Sequence, residues 1–103
     1  MSLDIAILGQ NGSPKMQVSI DPDDHHRLMQ VVGLSSNALL RRIQDYYADA
    51  EFSSDEIAAL LQEIAVLQEK CRGDNRIIAI LNAMRELAEI ANSERQPLVA
   101  IAD

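Results

Sequence analysis

The sequence predicts a single α+β domain over residues 1–103, with the element order ββααααβ. Three observations support this fold class. A segment near the N-terminus alternates apolar and polar residues, as a β-strand does, and the middle of the chain repeats apolar residues at helical spacings of three and four. The last segment is rich in β-branched residues. We therefore expect a small sheet with helices covering one of its faces.

The first two strands form a predicted β-hairpin. Residues 3–8 read LDIAIL, residues 16–20 read MQVSI, and the segment between them, GQNGSP, has the composition of a turn. A two-stranded hairpin is only marginally stable in water, so it needs a further strand. Residues 97–102, PLVAIA, supply one. The prediction is a three-stranded, mainly antiparallel sheet made of the N-terminal hairpin and the C-terminal strand.

Two of the four predicted helices follow the hairpin. Asp21 is a suitable N-cap for the first helix because Pro22 follows it at the first helical position, and Gly33 ends that helix. Ser35 or Ser36 can cap the second helix. Its apolar stripe consists of Leu39, Leu40, Ile43 and one of the two tyrosines that follow.

The third and fourth predicted helices form an antiparallel pair. Ser53 and Glu56 have the spacing of a capping box, and Phe52 precedes them as a hydrophobic staple. Gly73 ends the third helix, and Asp74 can cap the fourth. The link between these helices is short, which favours antiparallel packing.

The charge of the chain restricts the classes of partner. Sixteen acidic and nine basic side chains give a formal net charge of -7. This balance repels phosphate backbones and anionic lipid, so we expect no nucleic acid and no membrane as partners. The adjacent pair Arg41 and Arg42 is expected to contact solvent or Asp45. Acidity favours a basic protein partner, although a charge of this size is also ordinary for a small soluble domain.

The cysteine content and the start of the chain favour a cytoplasmic location. A single cysteine, Cys71, excludes an internal disulfide. The N-terminus lacks the basic leader and cleavage site of a signal peptide, and no apolar run approaches the roughly 18 residues that span a bilayer. Cys71 falls at the predicted end of the third helix, where the dipole disfavours a thiolate, so we expect a buried structural thiol.

Residues 21–26, DPDDHH, contain several metal-ligand types. On a helix Asp21 could share an ion with His25, or Asp23 with His26, which gives only two ligands per ion. We therefore interpret the segment as a helix start with its histidines on the solvated face, and expect no metal and no cofactor. The sequence has no nucleophile elbow and no phosphate-binding glycine pattern, so a non-enzymatic protein is expected.

Residues 46–64 read YYADAEFSSDEIAALLQEI. This segment resembles the central part of small acidic bacterial immunity-type proteins, which neutralise a cognate toxin by binding it. The resemblance implies a cytoplasmic inhibitor that uses acidic and aromatic surface residues against a basic toxin domain. It assigns no contact residues, so these are chosen by surface reasoning.

Two adjacent tyrosines cannot both face the core. Tyr46 continues the apolar stripe of the second predicted helix, which leaves Tyr47 on its flank. An exposed tyrosine among carboxylates is a candidate hot spot for a basic partner, although it can also lie along the surface with its hydroxyl in water. The candidate partner-binding residues are Tyr47, Asp49, Glu51 and Asp45. The alternative is a self-associating structural or regulatory module, a homodimer, because edge strands and the broad apolar face of the fourth helix favour association.

Overall fold

The described part of the chain comprises residues 3–9, 11–33 and 39–102 of a computed structural model. It contains four strands and three α-helices, so the predicted α+β class is confirmed, whereas the predicted three strands, four helices and order ββααααβ are wrong. The strands are β1 (Leu3–Leu8), β2 (Pro14–Ile20), β3 (Ala50–Phe52) and β4 (Leu98–Ala102). The α-helices are α1 (Pro22–Val32), α2 (Ile57–Lys70) and α3 (Asn75–Glu94), and short 3-10 helices occupy Leu40–Ile43 and Ser54–Glu56.

The four strands form one antiparallel sheet in the order β2-β1-β4-β3. The predicted hairpin is present, and β4 joins it by pairing with β1 as expected. Ile5 marks the register in the middle of the sheet, because it lies opposite Val18 on one side and Ala100 on the other. Strand β3 adds to the far side of β4, so β4 is an interior strand.

The second predicted helix is the main error in the predicted order. Between residues 39 and 49 the structure has only the 3-10 helix Leu40–Ile43 and turns, and the proposed caps Ser35 and Ser36 lie outside the described residues. The carboxylate of Glu63 on α2 accepts the backbone N–H groups of Leu39 and Leu40, each at 3.1 Å. This tertiary contact satisfies the N–H groups at the start of the 3-10 helix, which ends where Gln44 donates its N–H to the carbonyl of Arg41 at 3.0 Å.

The predicted caps of the other helices are confirmed. The Asp21 side chain accepts the N–H of Asp24 at 2.8 Å, and Asp74 accepts the N–H of Ile77 at 3.2 Å. The capping box at residues 53–56 is present, although it surrounds a 3-10 turn from which α2 continues. These caps depend only on neighbouring residues, which is why the sequence alone reveals them.

The helices pack on one face of the sheet. Helix α3 contacts both β1 and β2, and it also packs against α1 and α2. The side chains of β1 that face this layer, Leu3, Ile5 and Ile7, are at most 2% exposed, whereas Met16 on the edge strand β2 is 40% exposed. Among the described residues no helix is long and apolar enough to cross a membrane. The opposite face of the sheet is covered by none of the described helices.

Candidate functional site

The candidate site is the sheet face that points away from the helices. Strand alternation places Leu8, Val99 and Ile101 on this face, where each side chain is only half-buried. A shallow depression of about 430 Å³ lies over these residues. We call this surface the open face and define it by Leu8, Asp49, Glu51, Val99 and Ile101.

Strand β4 determines the apolar character of the open face. Its core-facing positions hold Leu98 and Ala100, each 1% exposed, whereas Val99 and Ile101 project to the other side. The strand therefore turns its two β-branched side chains away from the core and an alanine towards it. A face that is simply solvated normally carries polar residues at these alternate positions, so this arrangement leaves apolar surface partly exposed.

Carboxylates border the apolar centre of the open face. Glu51 lies directly opposite Val99 in the β3–β4 register, and its side chain is exposed. Asp49, two residues earlier, accepts the backbone N–H of Ala102 at 2.8 Å. Neither carboxylate forms an ion pair within residues 3–9, 11–33 and 39–102. Their negative charge is therefore available to a partner on this side of the sheet.

The other two predicted partner-binding residues lie on the turn before β3. Tyr47 is 70% exposed, and its backbone N–H donates to the Asp45 carboxylate at 2.9 Å. Tyr46 is buried, and its hydroxyl donates to the carbonyl of Ile20 at 3.0 Å. The two tyrosine rings meet edge to face at 5.5 Å. The expected division between a buried and an exposed tyrosine is confirmed, although the segment is a turn.

Arg42 connects this turn to β3. Its guanidinium donates to the carbonyl of Glu51 at 3.0 Å and to the Glu56 carboxylate at 2.7 Å. The hydrogen bond from Arg42, with a smaller contribution from the backbone N–H of Ser53, lowers the pKa of Glu56 from 4.5 to about 2 because both stabilise the charged carboxylate. Arg42 therefore pairs with Glu56 and holds the backbone that presents Glu51. The sequence predicted solvent or Asp45 as the contact of Arg42. It did not indicate Glu56, because Glu56 lies beyond the intervening strand β3.

The histidine segment places its two imidazole rings in different surroundings, one buried and one exposed. His25 is buried, and its Nε2 donates to the carbonyl of Ile43 at 2.6 Å, so the prediction of two solvated histidines is wrong for His25. The ring also meets Tyr46 edge to face at 4.9 Å. The spacing of His25 with Leu28 and Val32, both buried, was the sequence signal for this position. No three His, Cys, Asp or Glu side chains within the described residues lie close enough together to hold a metal ion.

The shifted pKa values in the structure belong to groups with structural contacts. Burial raises the pKa of the Cys71 thiol, so the expected buried thiol is found and the thiolate is disfavoured. The ion pair with Asp24 raises the pKa of Arg76. Comparison of the chain with protein-family models, curated proteins and solved structures gave no match. The chemistry of the open face is therefore the guide to function.

Proposed function

We propose that this protein is a non-enzymatic protein-binding protein whose open face takes up a basic surface of a partner protein. The observation that carries the proposal is the outward direction of Val99 and Ile101 on a sheet face that no described helix covers. Exposed apolar surface with a polar rim is typical of protein interaction sites. Burying these side chains against a partner would supply the hydrophobic part of the binding free energy.

Charge defines the chemistry of the partner. Asp49 and Glu51 border the apolar centre, and the whole chain carries a net charge of -7. A basic partner would be attracted at long range and oriented by these carboxylates on arrival. A cognate bacterial toxin is the basic partner that the sequence resemblance implies, and a cytoplasmic location is part of the same proposal. Tyr47 would contribute at the margin, as a rigid aromatic side chain on the turn before β3.

Capture from native extract with matched bait variants tests this proposal. The baits are the wild-type protein, Glu51→Lys on the open face, and Val66→Lys as a control on α2. Val66 is 48% exposed and belongs to the helical layer, so its replacement adds a positive charge away from the open face. We expect a basic protein to be retained by the wild type and by the Val66→Lys bait.

The Glu51→Lys bait should retain that protein at least about tenfold less, which corresponds to about 1.4 kcal/mol of binding free energy. Raising the salt concentration from about 0.1 M to about 1 M should release it from the wild type, because the Debye length falls from about 10 Å to about 3 Å. Titration of the purified partner by calorimetry then gives the affinities directly. Equal retention by all three baits, or no retained protein, would refute the proposal.

A further inference from the structure

Strand β2 is an edge of the sheet with free backbone groups. Among the described residues it pairs with β1 alone, so every second residue directs its N–H and C=O away from the sheet. The features that protect such edges lie at one end of the strand, where Pro14 begins it and the register shifts beside Lys15. The segment from Met16 to Ile20 keeps regular pairing with β1. This segment can therefore accept a further antiparallel strand.

The helical layer leaves room beside this edge. A depression of about 270 Å³ lies between β2 and α3, and small residues, Ala79 and Ala83, form part of its wall. Val18 lines the same depression, and Met16, which faces the helical side of the sheet, is 40% exposed. An added strand would place its own apolar side chains over this depression. The edge and the depression together fit a strand with alternating apolar residues.

We propose that a second copy of this chain supplies that strand, through antiparallel pairing of β2 with β2 about a two-fold axis perpendicular to the sheet. The two four-stranded sheets become continuous, and both helical layers lie on the same side. Residues 14–20, PKMQVSI, contain no carboxylate, although the chain as a whole carries a net charge of -7. Two acidic molecules therefore meet at β2 without opposing carboxylates across the new strand pair.

The sequence of β2 is complementary to itself when the axis passes beside Val18. Each Val18 then faces its own copy, and each Met16 faces Ile20, so all pairs on the helical side are apolar. On the other side Gln17 faces Ser19. Lys15 and Asp21 flank this regular segment and already have partners in their own chain, Lys15 with Glu94 at 3.1 Å and Asp21 with Arg76 at 3.8 Å. Apolar self-pairing and the lack of carboxylates in β2 thus favour a second copy over an unrelated strand.

Sedimentation equilibrium of three purified proteins tests this pairing. Between roughly 1 μM and roughly 1 mM the wild type should change from monomer towards dimer. Met16→Lys should weaken the association at least about tenfold, because it places a positive charge in an apolar pair. Val66→Lys, the matched exposed control on α2, should associate like the wild type. Glu51→Lys should also associate like the wild type, which separates this inference from the proposed function of the open face.

Disulfide trapping tests the register, in a Cys71→Ala background. A mixture of Gln17→Cys and Ser19→Cys proteins should form cross-linked dimers, because paired residues lie within the roughly 4.4–6.8 Å Cα separation that a disulfide needs. The cross-linking experiment remains informative even if the Met16→Lys protein does not fold. A wild type that stays monomeric throughout, a Met16→Lys protein that associates equally well, or no cross-link between the two cysteine variants would overturn the proposal.

Discussion

Replacement of Glu63 by alanine should destabilise the protein through a segment that is distant in the sequence. The Glu63 carboxylate is half-buried on α2 and accepts the N–H groups of Leu39 and Leu40, each at 3.1 Å. Within the described residues these two N–H groups have no other acceptor. Glu63→Ala would leave both N–H groups to water or without a partner, at the start of the 3-10 helix that leads to Tyr46.

The expected loss in the free energy of unfolding follows from the two hydrogen bonds that Glu63 accepts. A hydrogen bond to a charged group contributes about 1.5–3 kcal/mol, so two sum to about 3–6 kcal/mol, and hydration of the freed N–H groups at this half-buried site reduces the loss below that sum. We expect Glu63→Ala to lower the free energy of unfolding by about 2–3 kcal/mol. Glu63→Gln keeps one carbonyl acceptor and should cost about 1–2 kcal/mol. In a domain of this size, the alanine variant should melt about 8–15 °C lower than the wild type.

Urea denaturation and thermal melting, followed by circular dichroism, measure these differences. Glu69→Ala is the matched control, because Glu69 is an exposed glutamate on the same helix that pairs with Arg72 at 2.9 Å. An exposed pair of this kind contributes at most about 1 kcal/mol, so the control should melt close to the wild type. If Glu63→Ala and Glu69→Ala unfold at the same urea concentration, the proposed anchoring by Glu63 is wrong.

Three further predictions concern Tyr46 and Tyr47 on the turn before β3, and the pair that Glu56 forms with Arg42. Tyr46→Phe removes the hydroxyl that donates to the carbonyl of Ile20 and should cost about 1–2 kcal/mol in urea denaturation. Tyr47→Ala should cost at most about 1 kcal/mol, because this side chain is 70% exposed and an edge-to-face ring contact contributes about 0.5–1.5 kcal/mol. The depressed pKa of Glu56 means that its contribution to stability is complete above pH 4.5 and is lost as the pH falls towards 2. Carboxyl NMR titration should give a pKa of about 2 for Glu56, and Arg42→Gln should raise it towards 4.5.

Each of these predictions has a clear contrary result. Tyr46→Phe with unchanged stability would mean that the Ile20 carbonyl is equally well satisfied by water. If Tyr47→Ala lowers the free energy of unfolding as much as is expected for Glu63→Ala, the Tyr47 side chain packs in the core and is not exposed. A Glu56 carboxyl that titrates near 4.5, the ordinary value for this side chain, would contradict the strong pairing with Arg42.

Local signals in the sequence predicted the parts of the fold that depend on neighbouring residues. The caps Asp21 and Asp74 and the alternation in β1 are of this kind. Strand β3 was missed because it has three residues, and only pairing with β4, over forty residues later, defines it. The segment before it has apolar residues at helical spacing and was predicted as helix, but contacts from outside fix its conformation: Glu63 accepts from Leu39, and Glu56 accepts from Arg42.

Local signals in the sequence also predicted part of the candidate site. Exposure of Tyr47 and Glu51 follows from the local pattern of the segment, and the structure agrees. The apolar centre of the open face was not predicted, because PLVAIA is apolar at every position and does not show which side chains face the core. Only the pairing of β4 with β1 and β3 determines that Val99 and Ile101 point outward.

The interior position of β4 has a consequence for the synthesis of the protein. The ribosome releases β1, β2 and β3 long before Leu98–Ala102, yet β4 is the strand that lies between β1 and β3. Until that segment emerges, the hairpin has one unpaired interior edge and β3 has no neighbour. The nascent chain therefore completes its sheet in a late step, and during that interval its exposed strand edges are open to aggregation or to a chaperone.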